Sequence, residues 1–61
     1  MKIEEKVELN KKIRKYDGTN TFILSLQKTL KTSKYLSKEE LNGREIKVLS
    51  DKQYESAKSS L

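Results

Sequence analysis

Four bases stand within five residues, at Lys11, Lys12, Arg14 and Lys15, and the aromatic Tyr16 follows them. A positive patch beside an aromatic suits a phosphate backbone, with counterion release supplying the affinity. Lys28 and Lys31 would extend such a patch. The same bases also sit where the end of a helix attracts cations, and they would keep a small protein in solution. Only one of the four is an arginine, the residue that grips phosphate or guanine in a bidentate way. Nucleic-acid binding through these residues is therefore expected to be weak and tolerant of sequence.

The carboxylates Glu39, Glu40, Glu45, Asp51 and Glu55 could be imagined as acid–base groups or metal ligands, but they alternate with Lys and Arg as on a solvated face. The chain has neither His nor Cys. A nucleophile–base pair would have to come from Ser, Lys or Tyr, and no motif frames those. Gly18 and Gly43 stand alone, so no phosphate-cradling loop is expected. The reading is a non-enzymatic protein with no catalytic residues, no metal and no cofactor. Tyr16, Tyr35 and Tyr54 remain: a tyrosine suits a protein interface and equally closes the rim of a small core.

With 61 residues the chain makes one domain, 1–61. Charged residues reach 38%, and 14 bases against 9 acids give a net charge of +5. The whole surplus lies in residues 1–37, because 38–61 carry five of each sign. So small a domain is marginal alone, and with no disulfide its stability must come from helix packing, a homodimer or a protein partner. The opening Met-Lys-Ile-Glu-Glu-Lys has no apolar leader, and the longest apolar run, 22–24, is far below the roughly 20 residues of a membrane span. A soluble, cytoplasmic protein is expected, with no membrane contact.

Three helices can be read in the pattern. Residues 2–16 bring Ile3, Val7, Leu9, Ile13 and Tyr16 onto overlapping faces, with acids early and bases late as the helix dipole prefers. Gly18 can take the left-handed conformation that closes this helix, and Thr19 or Asn20 can cap the next. A connection this short predicts an antiparallel pair. Residues 21–32 form the central helix, where Phe22, Ile23, Leu26 and Leu30 make the apolar stripe and Leu24 points to another side. A helix apolar over so wide an arc must be covered from two directions, by its own chain or by a partner. Ser50-Asp51-Lys52-Gln53 is a capping box, and Leu49 with Tyr54 is the matching hydrophobic staple of a last helix over 51–60.

The segment 34–49 reads two ways. Ser37-Lys38-Glu39-Glu40 fits a capping box, with Gly43 ending a single helical turn. Asn42-Gly43 could instead be the tip of a hairpin, Ile46 and Val48 alternating as a strand and Tyr35 and Leu36 supplying the mate. An isolated hairpin is marginal in water, so the short helix followed by an extended 44–49 is preferred. The expected fold is all-α: two antiparallel helices closed by a C-terminal helix, with an irregular or weakly β segment between them.

The order of signals carries a resemblance. Tyr16-Asp17-Gly18-Thr19-Asn20-Thr21-Phe22 leads into Ser25-Leu26 and Leu30, and Leu49-Ser50-Asp51-Lys52-Gln53 follows, with Ala57 and Leu61 behind it. This resembles small helical segments of phage and bacterial nucleic-acid-processing proteins, in which an aromatic-plus-Ser-Leu helix precedes a Leu-Ser-x-x-Gln helix. It covers about half of the chain, and the stretch between Lys31 and Val48 is longer than that pattern has. The resemblance implies a nucleic-acid-processing context and transfers no catalytic residue.

Two functions are expected from these readings. The first is a small accessory or inhibitor protein that docks on a larger, nucleic-acid-processing protein through Tyr16, Leu24 and Tyr35. The second is direct, nonspecific nucleic-acid binding through Lys11, Lys12, Arg14, Lys15, Lys28 and Lys31. A subunit of an assembly is a third role with no distinguishing signal.

Overall fold

The computed structural model describes residues 1–32 and 36–61. The order of elements is α1 (Ile3–Lys15), α2 (Thr21–Thr32), β1 (Ser37–Leu41), β2 (Arg44–Val48) and α3 (Asp51–Lys58). The two strands form an antiparallel hairpin, so the fold is a small α+β domain and the all-α expectation is corrected. Asn42 and Gly43 both have positive φ, 52° and 77°. Two successive left-handed residues make the tight turn whose twist matches paired strands, and Asn-Gly tolerates it best. The helical turn expected at 37–43 is absent because the strand pattern gains more. It lays Ile46 and Val48 on the core and sets Glu39 beside Lys6. Packing on α1 also removes the weakness of an isolated hairpin. The mate of β2 is Ser37–Leu41, and Leu36, expected in it, precedes it. Leu36 lies half-buried against the core, and Tyr35 is outside the described residues.

The core joins Leu9 and Ile13 of α1, Ile23, Leu26 and Leu30 of α2, Val48 and Leu49, and Tyr54 and Ala57 of α3. Phe22, expected in the α2 stripe, is 38% exposed, and Leu24 is 41% exposed. The described residues thus cover one side of the most apolar helix and leave Phe22 and Leu24 exposed. On α1 the buried face is Lys6, Leu9, Asn10 and Ile13, while Ile3 and Tyr16 pack beside it and Val7 is half-buried.

The corner between α1 and α2 is built from side chains. Tyr16 ends α1 with an extended backbone. The amide of Gln27 donates to the carbonyl of Ile13 (2.8 Å), which also accepts the Tyr16 N–H, and to the carbonyl of Tyr16 (2.7 Å), which lies past the last helical hydrogen bond. The Tyr16 hydroxyl accepts the Asn20 N–H at 3.0 Å, and the Asn20 side chain accepts from Phe22 and Ile23, which makes it the expected cap. Gly18 is not left-handed. It is glycine because a Cβ would collide with the Tyr16 hydroxyl and ring. The capping box of α3 forms as expected: Gln53 N–H reaches the Ser50 hydroxyl, and Ser50 N–H reaches the Gln53 side chain.

Candidate nucleic-acid interface

Helical spacing sorts the bases into groups. Val7, Lys11 and Arg14 recur at i, i+4 and i+7 on α1, and Leu24, Lys28 and Lys31 do the same on α2, so each trio shares one flank. The two flanks meet, because Arg14 and Lys31 line one surface groove with Gln27 and Leu30. Arg14 also lines the adjoining groove, with Val7, Asn10 and Lys11 on one wall and Glu45, Ile46 and Lys47 of β2 on the other. Lys15 follows Lys11 by one turn of α1 and is exposed beside it. Lys12 departs from the group. It falls one stripe with Glu5, whose carboxylate meets Lys58 of α3 at 3.4 Å, so it belongs to the flank that faces α3. The structure therefore brings Lys11, Arg14, Lys28 and Lys31 to one face, with Lys15 beside them, and sets Lys12 apart. All six are exposed.

Ion pairing is segregated as well. Among the described residues the pairs are Lys6 with Glu39 and Asp51 (the latter at 3.2 Å), the Met1 ammonium with Asp51 (3.5 Å), Lys58 with Glu5, and Lys38 with Glu45 (3.9 Å). None involves a base of the α1–α2 face. From Leu9 to Thr32 the sequence holds six bases and one acid, Asp17. Charges left unpaired on one side of a small domain sum to a positive field, the electrostatic footprint of a polyanion site.

Elsewhere the polar groups serve the fold. The Lys6 ammonium, on a side chain 8% exposed, bridges two carboxylates from β1 and α3. Glu39, followed by Asp51, holds its pKa above the usual lysine value, and Lys6 in turn holds the Asp51 carboxyl below its ordinary value. Lys6 lies between the two acids and, together with the Met1 ammonium on Asp51, balances their charge, so they form a structural tie. The Tyr54 hydroxyl accepts the Leu49 N–H at 2.9 Å and donates to Asn10 Oδ1 at 2.6 Å, while Asn10 Nδ2 donates to the Lys47 carbonyl. Burial pushes the Tyr54 pKa up. This chain of bonds ties α1, β2 and α3 together. Sequence reasoning passed over Lys6, Asn10 and Gln27. The signal for the first two was the 6-9-10-13 spacing, an unbroken helical stripe that includes two polar members.

Tyr16, a candidate interface residue, is half-buried and engaged at the helix corner. Tyr35 lies outside the described residues. Among the described residues, Leu24 is the expected interface residue that stands exposed, at 41%.

Compared with protein-family models, curated proteins and solved structures, the chain matches none. Among the described residues, no helix is long and apolar enough to cross a membrane.

Proposed function

We propose that this chain is a non-enzymatic, cytoplasmic protein that binds the phosphate backbone of nucleic acid through the joined flanks of α1 and α2. The observation that carries the reading is the placement of Lys11, Arg14, Lys28 and Lys31 on adjoining helix flanks, none of them in an ion pair among the described residues. Four mobile cations on helices can each meet a phosphate oxygen. With a single arginine, and with Tyr16 and Tyr54 engaged internally, affinity would come from charge rather than from bases. The resemblance to phage and bacterial nucleic-acid-processing segments pulls the same way.

The test is affinity for a short duplex at several salt concentrations. Four phosphate contacts give a slope of log K against log salt of about −3.6. Reversing Lys11 and Lys28 to Glu should flatten that slope and weaken binding at low salt, while Lys12→Glu should do so far less. Equal losses for Lys12 and Lys11 would remove the face as the binding site.

One observation favours a second reading. Leu24 lies on the same stripe as Lys28 and Lys31 and is 41% exposed. An accessory protein could set this residue against an apolar spot on a nucleic-acid-processing partner, with the cations meeting acids around it.

A further inference from the structure

The hairpin has an open edge, and its charges specify what can pair there. Leu41 and Arg44 flank the two-residue turn, so the pairs 41/44, 39/46 and 37/48 exchange hydrogen bonds across the hairpin. Lys38 and Glu40 on β1, and Glu45 and Lys47 on β2, then turn their backbone groups outward. On β2 this is visible: the Lys47 carbonyl accepts from Asn10 of α1 at 3.3 Å. On β1, among the described residues, the outward N–H and C=O of Lys38 and Glu40 have no partner. A second observation concerns the outer face of the hairpin, where Lys38 stands opposite Lys47 and Glu40 opposite Glu45. Like charges directly opposed are unfavourable. Within one chain only the diagonal Lys38–Glu45 contact, at 3.9 Å, relieves them.

We propose that β1 is a homodimer edge: it pairs antiparallel with β1 of a second copy about a two-fold axis at Glu39, joining two hairpins into one four-stranded sheet. Antiparallel pairing must set outward-facing residues against outward-facing residues. Three registers do so near the centre of the strand. One opposes Lys38 to Lys38, one opposes Glu40 to Glu40, and the third opposes Lys38 to Glu40 twice over. Only the third is attractive. It makes about four backbone hydrogen bonds, two at each Lys38–Glu40 pair, and gives both residues an opposite charge directly across the strand, where their own hairpin sets a like one. Lys and Glu often guard an edge strand. Here their side chains project from the sheet face rather than along the edge, so they select a register without blocking it. Glu39 meets its own counterpart at the axis on the inner face, where each is already held by Lys6. The interface is small, so the dimer is expected to form only at high concentration.

Sedimentation equilibrium over a wide range of concentration tests this, with circular dichroism to verify folding. The full chain should approach the mass of two copies as concentration rises. Lys38→Glu would set Glu against Glu40, and Glu40→Lys would set Lys against Lys38, so each variant alone should self-associate about tenfold more weakly, or worse. Neither should unfold the hairpin, because each new charge faces an opposite one, at Lys47 or Glu45. Mixing the two variants pairs Glu with Lys at both positions, and the mixture should recover the two-copy mass. A wild-type mass of one copy throughout, or a dimer as strong in either variant as in the wild type, would overturn the proposal. So would a mixture that stays monomeric.

Discussion

Lys6 is an ammonium with little access to water that is shared by two carboxylates on two different elements. Partial burial makes its loss costly and gives stability a defined pH dependence. The Asp51 carboxyl is held below its ordinary value by Lys6, so its contribution is complete above the unfolded value, near 3.8, and is lost as pH falls through the lower folded one. Lys6 is held above its ordinary value by Glu39 first, so its contribution is complete below about 10.4 and is lost as pH rises through the folded value. Tyr54, raised by burial, acts in the same alkaline direction. A plateau between about pH 4 and 10 follows for these groups. Lys6→Met keeps the aliphatic stem and removes the charge. Urea unfolding of this variant should show a deficit against the wild type that is largest near neutral pH and shrinks below pH 4. A deficit that is constant down to pH 2 would mean that Lys6 acts through packing alone.

At the level of elements, the hairpin depends on one backbone conformation. Gly43 has φ +77° with open space around its Cα, so a side chain there meets strain and no clash. Gly43→Ala should lower stability by about 1–2 kcal/mol, the cost of an L-residue in the left-handed region. Gly18→Ala meets the Tyr16 ring and hydroxyl instead and should disturb the α1–α2 corner, visible as a change in near-ultraviolet tyrosine dichroism. These two glycines show which parts of the fold the sequence discloses. The helix at Thr21–Thr32 and the capping box at Ser50 rest on residues within four positions of one another, and both were legible. The hairpin was misread because Ser37-Lys38-Glu39-Glu40 satisfies a helical cap locally and contains no β-branched residue. What decides for strand is nonlocal: Glu39 reaching Lys6 some 33 residues away, and Val48 closing the core. The candidate face was legible as a charge excess, but its membership was not. Adjacent positions on a helix diverge by about 100°, so Lys11 and Lys12 part company even though they touch in sequence.

For the molecule as a whole, two kinds of charge respond differently to salt. The Lys6 cluster is partly sheltered, and sheltered pairs are screened little. The bases of the α1–α2 face are exposed and unpaired among the described residues, and Arg14 shares one groove with Lys31 and another with Lys11. Their mutual repulsion opposes folding and is screened within the roughly 10 Å Debye length at 0.1 M. Moderate salt should therefore raise the unfolding midpoint of the ligand-free protein. For a domain of this size, 1 kcal/mol corresponds to roughly 4–8 °C, so a rise of a few degrees is readable by calorimetry. Adding duplex DNA at low salt should raise the midpoint by its own increment, because a ligand bound to the folded state stabilises it by mass action. Salt should erase that increment, since it competes for the phosphates. The two effects cross: salt stabilises the free protein and destabilises the complex relative to it. Lys28→Gln should shrink both together, because the repulsion and the binding come from the same charge. If the ligand-free midpoint fell with salt instead, net attraction would dominate the surface charges, and the segregated positive face would not be the main electrostatic feature of this chain.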